Sequence, residues 1–372
     1  DKALDVIEGK ESTPAASSSS STTSEETSET KTSSVKGFSK FDFVPGERII
    51  YAEDFAQDAV GELPLTWNSS GKGEVMTLNN QKGKWLRIFE NTTYLTGNNR
   101  KFGENYTIEF DLMFYFEPKV KGYVLPGWQV GLLSSGDKDA TDNSFLKEKA
   151  EFNNTEVHFG YGSYALAYLE SKEKKISTFR SDKMELGDVF SGFNKIVHYS
   201  VQVQKTRFRL WIDDKKVFDI PRAMNVKDTM NQVYFQLEGS NYKEEEIGLF
   251  LSNIKIATGL PDTRHKLVDE GRFSTTGILF EVNAATIKPE SNGVLKEVAD
   301  AIKSNAGIRV KIIGHTDSDG SDAANLELSK KRAEAVREAL VKDFSIDAAA
   351  LETDGKGEAQ PAGDNKTREG KA

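Results

Sequence analysis

One stretch of ten residues, Thr107–Phe116, does most to limit what this chain can fold into. Apolar and aromatic side chains occupy every second position in it: Ile108, Phe110, Leu112, Phe114 and Phe116. Successive side chains of a strand point to opposite faces, so this spacing places all five on one face. Similar short runs recur between residues 84 and 256, separated by Gly, Asn, Asp and Lys, with no helical pattern between them. The pattern predicts an all-β jelly-roll sandwich over residues 41–257.

The segment before the sandwich has the composition of a flexible tether. Residues 11–36 are almost all Ser, Thr, Glu, Ala and Lys, and they offer too little apolar surface to offset the entropy lost on ordering. Leu4, Val6 and Ile7 have roughly helical spacing, which predicts the end of a helix that starts upstream. We assign residues 1–40 to a disordered tether. Because the first residue is Asp1 and not Met, we expect a leader or a longer N-terminal region to precede it.

The composition excludes several functional classes. The 372 residues contain no cysteine, which rules out disulfides, thiol catalysis and cysteine-based zinc sites. The formal net charge of -9 argues against a nucleic-acid partner and against a polybasic membrane contact. The sequence has no run of about 18 apolar residues and therefore predicts no membrane-spanning helix.

The periodicity changes after a polar connector, residues 258–276. Strand-like apolar runs at Gly277–Val282, Ile308–Ile313 and Leu351–Gly355 alternate with helical patterns at Pro289–Ser304 and Ala323–Lys342. The side chains expected to face inward from the second helix are Leu326, Ala333, Val336 and Leu340. This order predicts a βαβαβ domain of the α/β class over residues 277–372.

A charged motif follows the middle strand of this α/β domain. The loop Gly314–Gly320 carries Asp317, and the next helix carries Arg332. A carboxylate and a guanidinium held at a fixed separation can bind the ammonium and the carboxylate of a zwitterion. The motif therefore favours ligand binding over catalysis. The four histidines of the chain are not clustered, so we expect no metal or catalytic role for His315.

Residues 277–371 resemble the OmpA-like peptidoglycan-binding domain. The matching pieces follow in order along the sequence: Gly277–Phe280, Asn283, Ile287–Ser291, Gly314–Asp317, Gly320, Asn325, Leu328–Ser329, Arg332–Ala333, Val336, Gly355–Gly357, Pro361, Asn365 and Glu369–Gly370. The resemblance implies noncovalent binding of the diaminopimelate of the peptidoglycan stem peptide. Asp317 would accept hydrogen bonds from its ammonium, and Arg332 would pair with its carboxylate. The residues that would line the pocket are Asn283, Thr316, Asn325 and Leu328.

The resemblance also implies a cellular location and a departure from the family pattern. We expect an envelope protein of a Gram-negative, Bacteroidetes-type bacterium, located in the periplasm and associated with the outer membrane and peptidoglycan. We expect no enzymatic activity, no metal and no cofactor in this domain. The family continues after the Glu-Gly pair into a last strand with a basic pair, whereas this sequence stops at Ala372. We therefore expect either a frayed sheet edge or a longer natural chain.

Residues 41–257 resemble, more loosely, laminin-G and concanavalin-A-like domains. The matching pieces are Phe55, Gly61–Pro64, Trp67, Ile108–Asp111, His198 and Arg207–Val217. Such domains often bind glycans, and some relatives hydrolyse β-glucans with three carboxylates on one strand face. Glu109 and Asp111 fit the first two carboxylates, but Met113 occupies the next position on that face. We therefore expect no hydrolase, and we interpret Glu109 and Asp111 as the exposed polar face of a core strand.

The ligand of the sandwich stays open at this point. The oxygen-rich loop Gly136–Asn143 is a candidate for Ca²⁺, but it lacks the glycine and distal glutamate of an EF-hand, so a solvated turn is favoured. Four aromatic residues either stack on sugars or, as we favour, pack in the core: Trp128, Tyr161, Tyr164 and Tyr168. The sandwich would bind a glycan or an outer-membrane or periplasmic protein. The alternatives are a docking surface within a larger envelope machine and a glycan hydrolase carried by a wall anchor.

Overall fold

The computed structural model describes residues 5–10, 42–79, 81–120, 122–136, 138–187, 192–225, 229–260, 263–305, 307–316, 321–359 and 367–371. Two compact units make up the chain: Asp1–Asp42 with Asp262–Pro361, and Phe43–Pro261 with Ala362–Ala372. None of the helices in the described ranges is both long enough and apolar enough to cross a membrane.

Twenty strands occur within those ranges. In chain order they are β1 Asp5–Lys10, β2 Arg48–Glu53, β3 Asn68–Ser69, β4 Gly73–Met76, β5 Trp85–Ile88, β6 Thr92–Leu95, β7 Asn105–Phe116, β8 Trp128–Ser134, β9 Asn153–Tyr161, β10 Ala165–Glu173, β11 Ile176–Arg180, β12 Met184–Gly187, β13 Ile196–Gln204, β14 Arg207–Ile212, β15 Lys215–Ile220, β16 Gln232–Leu237, β17 Ile247–Thr258, β18 Arg272–Thr275, β19 Arg309–Gly314 and β20 Leu351–Gly355.

The helices are concentrated in the second half of the chain. They are α1 Ser144–Lys147, α2 Thr263–Val268, α3 Asn292–Lys303, α4 Asp322–Phe344 and α5 Arg368–Lys371. Short 3₁₀ turns lie at Lys149–Glu151, Pro289–Ser291 and Ala348–Ala350.

The larger unit is a β-sandwich, which confirms the all-β prediction for this part of the chain. One sheet has the order β11-β10-β9-β8-β16, with β12 also paired to β10. The facing sheet has the order β15-β14-β13-β7-β17-β5-β4, with β2 also paired to β17. Neighbouring strands in both sheets run antiparallel, and the β14–β15 hairpin turns at Asp213-Asp214.

Strand β7 occupies the middle of the larger sheet, between β13 and β17. Its apolar face packs into the core as the alternation predicted, and Ile108, Phe110 and Leu112 are buried there. The Phe110 ring stacks on Tyr199 with centroids 5.0 Å apart, and its edge meets Phe235 of the opposite sheet at 5.2 Å. Offset and edge-on aromatic pairs of this kind add to the stabilisation that burial provides.

The smaller unit has a four-stranded sheet in the order β18-β1-β19-β20. Strands β19 and β20 are parallel, and β1 is antiparallel to both of its neighbours. The succession β18, α3, β19, α4, β20 confirms the predicted βαβαβ class. Its first strand is different from the one expected: β18 lies in the stretch assigned to the connector. The predicted strand Gly277–Val282 forms only a single bridge, between Phe280 and Ile287.

Residues 5–10 correct a second expectation, because they form strand β1 and not a helix within a tether. β1 pairs with β18 on one side and with β19 on the other, from Asp5 opposite Gly314 to Lys10 opposite Arg309. Two open strand edges offered unpaired backbone groups, and β1 satisfies both of them. The β-branched pair Val6-Ile7 suits this extended conformation.

Helix α4 packs closely against β19 and β20 because two glycines leave room for it. A Cβ atom on Gly314 would lie 2.2 Å from the Ser329 carbonyl oxygen, and one on Gly355 would lie 2.5 Å from the Lys330 nitrogen. Ala333, Val336 and Leu340 are fully buried, as predicted. Leu326 is not: it is 40% exposed, because the first turns of α4 direct a different set of residues inward.

The last described helix, α5, clusters with the sandwich, although the sequence had assigned residues 362–372 to the α/β domain. Its Arg368 guanidinium donates to the carboxylates of Glu53 and Asp58, the latter at 2.9 Å. Glu53 is buried at the end of β2, so this cation offsets the cost of a buried negative charge.

Candidate functional sites

The inner face of α4 is polar in its first half, and this polarity marks the candidate site of the α/β unit. Asn325, Ser329 and Arg332 follow one another at intervals of four and three residues, so they lie on the same face of the helix. All three are buried, with exposed fractions of 5%, 0% and 0%. The next residues on that face are apolar. A helix that only packed against the sheet would have no need for three buried polar side chains.

The Arg332 guanidinium is held from two directions. Its Nε donates to the Ala284 carbonyl oxygen at 3.0 Å, and its Cζ lies 4.9 Å from the centroid of the Phe280 ring. The ring supplies a cation–π contact, and the carbonyl fixes the plane of the group. These two contacts fix the orientation of a guanidinium, a planar group whose geometry matches that of a carboxylate.

The loop after β19 brings Thr316 to the same region. The Thr316 backbone N–H donates to the Gly357 carbonyl oxygen at 3.0 Å, and the Gly357 N–H donates to the Ser329 hydroxyl at 2.9 Å. These bonds join the ends of β19 and β20 to the polar face of α4. Thr316 is 7% exposed, and among the described residues its hydroxyl has no hydrogen-bond partner. A buried hydroxyl of this kind is suited to bonding a ligand.

The other predicted site residues are placed as follows. Asn283 is exposed in the turn Glu281–Ala284 with φ 55°, next to the carbonyl that fixes Arg332. Asn325 is buried and donates to the Glu358 carboxylate at 2.8 Å. Leu328 is half-buried beside them on α4. Asp317, the predicted acceptor for an ammonium, lies outside the described residues.

Sequence reasoning missed one residue of this region, Glu358. Its carboxylate orients the Asn325 amide from the turn that follows β20. The only sequence signal is its position directly after Gly355-Lys356-Gly357, one of the pieces that carry the family resemblance. The described polar groups thus come from α4, from the turns after β19 and β20, and from the turn at 281–284.

Comparisons with known proteins agree with this arrangement. Residues 279–372 match the OmpA family. The outer-membrane lipoprotein YfiB of Pseudomonas aeruginosa is 33% identical over 138 residues, which are 37% of this chain and 80% of that protein. The chain belongs to the OmpA family. This confirms the resemblance of residues 277–371 to the OmpA-like domain.

Other relatives of the OmpA-family domain share a smaller part of their length. The outer membrane porin F of P. aeruginosa is 37% identical over 95 residues, which are 26% of this chain and 27% of that porin. The probable lipoprotein YiaD of Escherichia coli is 39% identical over 95 residues and is covered to 43%. The chain therefore spans 27% of the length of the first of these relatives and 43% of the second.

Solved structures similar to this chain include carbohydrate-binding domains. The carbohydrate binding module CBM66 from Bacillus subtilis has a TM-score of 0.33 at 16% identity and covers 52% of this chain and 96% of its own. The exoplasmic/lumenal domain of VIP36 in its Ca²⁺/Man-bound form has a TM-score of 0.41 at 10% identity, covering 58% and 93%. Similarities of this size indicate no ligand for the sandwich.

In the sandwich, the two carboxylates that resembled a glucanase motif form a buried ionic cluster. Glu109 is 6% exposed, which corrects the expectation of an exposed polar face. His198 lies between the two carboxylates, with Nδ1 2.6 Å from Asp111 Oδ1 and Nε2 3.6 Å from Glu109 Oε2. The Asn253 amide donates to the second Asp111 oxygen at 2.7 Å.

Burial alone lowers the pKa of His198, but hydrogen bonds and attraction from Asp111 and Glu109 outweigh it and raise the pKa to about 10.

A second charged group lies on the outer face of the other sheet. One ligand atom each from Glu156, His158 and Glu170 fall within 4.8 Å of one another, a spacing compatible with a metal ion. However, the Lys172 ammonium lies 2.8 Å from Glu156 and 3.3 Å from Glu170 and already neutralises them. Burial raises the pKa of Glu156, yet hydrogen bonds from His158, Lys172 and Tyr234 lower it well below its usual range. This donor set fits an internal ion pair better than a metal centre.

The candidate calcium loop uses its carboxylates locally. Asp139 Oδ1 accepts from the Thr141 N–H and Asp142 Oδ1 from the Ser144 N–H, both at 2.9 Å. Asp142 Oδ2 also lies 3.3 Å from the Lys138 ammonium. These two carboxylates cap turns and do not converge on a common centre, so the described part of the loop offers no cation-binding geometry.

The aromatic residues considered for sugar stacking have different environments. Trp128 is buried and stacks on Phe159 with centroids 4.0 Å apart, which supports the core interpretation. Tyr168 stacks on His158 at 4.6 Å, while Tyr164 is 53% exposed and isolated at a turn. Tyr161 is half-buried, and its hydroxyl accepts from the Trp128 Nε1–H at 3.1 Å. They therefore form no continuous aromatic platform.

Proposed function

We propose that the OmpA-family domain anchors this protein noncovalently to peptidoglycan by binding the diaminopimelate of the stem peptide. Arg332 receives the side-chain carboxylate of diaminopimelate in a charge-assisted pair, and Asp317 accepts hydrogen bonds from the neighbouring ammonium. The Thr316 hydroxyl bonds the same zwitterion. The fully buried, doubly oriented guanidinium of Arg332 is the observation that carries this proposal.

The energetics suit a reversible anchor. Each charge-assisted hydrogen bond contributes roughly 1.5–3 kcal/mol. Two or three of them, less the cost of association, give a dissociation constant on the order of micromolar to millimolar. Weak individual contacts hold firmly when the ligand repeats along a polymer, because each further contact forms at a high effective concentration.

The location and the role of the sandwich follow from this anchor. Relatives of the domain are named as outer membrane proteins and outer-membrane lipoproteins, which supports an envelope position for this chain. Peptidoglycan then places the protein in the periplasm beside the outer membrane. The sandwich, held to the wall, presents its surfaces to a glycan or to a protein partner, and the chain acts by binding without catalysis.

Cosedimentation with purified sacculi tests the anchor. We call the pair Arg332 and Asp317 the clamp. Arg332→Ala and Asp317→Ala should abolish cosedimentation, because each variant removes one of the two charged side chains of the clamp. Arg337→Ala is the matched control: Arg337 lies on the same helix, half-buried and paired with Glu334 at 2.9 Å on another face. It should bind as the wild type does.

Thr316→Val separates binding from folding. Valine keeps the shape of threonine and removes a hydroxyl that has no partner among the described residues, so the thermal stability should not fall. Affinity for sacculi should drop about three- to tenfold, which corresponds to one neutral hydrogen bond. Sacculus binding that survives unchanged in Arg332→Ala and Asp317→Ala, with both variants folded, would show that the proposed clamp is wrong.

A further inference from the structure

The sandwich contains a cavity of about 510 Å³ between its two sheets. It lies at the side of the sandwich where the edge strands are β12 of one sheet and β15 of the other. Residues from both edge strands border it, and its inner end reaches the central strands β7, β9 and β13. It belongs to a different unit of the chain from Arg332 and Thr316, and the proposed function gives it no role.

The inner wall of the cavity is apolar and mainly aromatic. The side chains that form it include Leu112, Phe114, Phe159, Phe193, Val197 and Tyr199. Facing sheets normally interdigitate and leave few voids larger than a water molecule. An apolar void destabilises a fold in proportion to its volume unless something fills it. The volume here is within the range of pockets that hold small organic ligands, roughly 300–1,000 Å³.

The Tyr161 hydroxyl, one of two tyrosine hydroxyls in the lining with that of Tyr199, gives the ligand its chemistry. The Trp128 Nε1–H donates to the Tyr161 hydroxyl oxygen at 3.1 Å, so the Tyr161 O–H hydrogen is directed elsewhere. No acceptor for that hydrogen is found within the described ranges. Burial raises the pKa of Tyr161, and the hydroxyl therefore remains a donor at neutral pH. A ligand oxygen that accepts without being charged would complete this group.

The mouth of the cavity carries balanced charges. Three lysines and three carboxylates border it: Lys195, Lys215, Lys216, Glu185, Asp213 and Asp214. Among the described lining residues the formal charges of these six side chains cancel, so they give no net attraction for an anion or a cation. A charged head group would gain little here, whereas a neutral polar group can bond to either kind of side chain.

We propose that this cavity binds an uncharged acyl compound, with its apolar chain against the aromatic wall and its carbonyl oxygen accepting from Tyr161. The chain fills the space between the sheets that the core side chains leave open. The neutral head lies at the charge-balanced mouth.

Titration of the full chain with 1-monolauroylglycerol below its critical micelle concentration tests the proposal. The expected result is saturable, one-to-one binding that displaces N-phenyl-1-naphthylamine, an apolar fluorescent probe with no carbonyl group. Dodecanoate, the matched anion, should bind more weakly at pH 7. Absence of saturable binding, or tighter binding of dodecanoate, would overturn the assignment.

Two kinds of variant locate the ligand. Tyr161→Phe should weaken binding of 1-monolauroylglycerol about three- to tenfold and leave the apolar probe unaffected, because only one hydrogen bond is lost. Ala165→Trp places a large side chain beside Tyr161, its cross-strand neighbour, and should block both ligands. Ser177→Trp on the exposed strand β11 is the matched control and should bind both normally.

A folding defect in Ala165→Trp would not end the test. Leu186→Trp then serves as the second blocking variant, since Leu186 lines the mouth on β12. If a folded blocking variant or Tyr161→Phe binds 1-monolauroylglycerol as tightly as the wild type, the cavity is not its site and the proposal is wrong.

Discussion

The buried polar residues of the sandwich and those of the OmpA-family domain are organised in opposite ways. In the sandwich, Glu109, Asp111 and His198 lie in the middle of adjacent strands, where the register fixes Asp111 directly opposite His198. Within this sheet each of these charged side chains lies next to a side chain of opposite charge. In the OmpA-family domain, Thr316 follows a strand end and Asn325 lies in the second turn of a helix. There the polar groups come from the ends of several elements and meet at one place.

This difference separates structural charge from ligand-binding charge. The side chains of the sandwich cluster are fixed by the hydrogen-bonded register of their strands, and their charges already compensate one another. The cluster therefore stabilises the fold. Groups carried on turns and a helix start can be presented to something outside the chain. The Thr316 hydroxyl, which lacks a partner within the described residues, illustrates the second case.

Removing one carboxylate from the sandwich cluster should give the largest loss of stability. Asp111→Ala leaves the His198 cation buried beside Glu109 alone, and breaking a buried pair in this way costs about 3–5 kcal/mol. The free energy of unfolding, measured with urea, should fall by that amount while sacculus binding persists. Asp300→Ala is the control: its pair with Lys296 is about half exposed, so the loss should stay below about 1 kcal/mol. A loss below about 1 kcal/mol in Asp111→Ala as well would contradict the structural role of the cluster.

The same cluster should make the stability of the sandwich depend on alkaline pH. The folded pKa of His198 is raised to about 10, from about 6.5 in the unfolded chain. The stabilisation that the protonated His198 side chain provides is therefore complete below the pKa of the unfolded chain. It is lost as the pH rises through the pKa of the folded protein. The difference in unfolding free energy between wild type and His198→Gln should shrink from pH 6.5 to pH 10. A difference that is independent of pH would show that His198 is not held as a cation.

A smaller effect is expected where the OmpA-family domain depends on close backbone packing. Gly314→Ala would place a methyl group 2.2 Å from the Ser329 carbonyl oxygen, so α4 or the end of β19 must shift. Overpacking of this kind costs about 1–3 kcal/mol, and the shift should also weaken sacculus binding because Thr316 lies two residues on. Gly160→Ala in the sandwich has no atom within 4 Å of the new methyl group. It should change stability by less than about 0.5 kcal/mol, and equal effects at both glycines would refute the packing argument.

The sequence predicted most elements of both units because their periodicity is local. Strand β20 has the predicted bounds, and the apolar face of β7 was identified correctly from its alternation. Alternation indicates which residues share a face, but it does not identify the strand alongside. For that reason Glu109 and Asp111 were expected to be exposed: the histidine that binds them lies 87 residues from Asp111 in sequence.

Two other differences have the same physical origin. Gly277–Val282 has the composition of a strand, but the chain turns at Asn283, where φ is 55°, and only Phe280 finds a bridge partner. Strand β1 could not be predicted from Val6 and Ile7 alone, because its conformation depends on two strand edges more than 250 residues away.

The cavity depends on the spacing between two sheets, which no local pattern encodes. The clamp residues were named from a family motif, and their role stays a prediction.

The most direct test of the central claim compares two synthetic stem tetrapeptides that differ in one residue. That residue is meso-diaminopimelate in one peptide and lysine in the other, which keeps the ammonium and lacks the side-chain carboxylate. Calorimetric titration of the full chain should show at least about tenfold tighter binding of the diaminopimelate peptide, since a charge-assisted bond to Arg332 contributes roughly 1.5–3 kcal/mol. Arg332→Lys should reduce that preference. Equal affinity for the two peptides would contradict the proposed recognition of diaminopimelate.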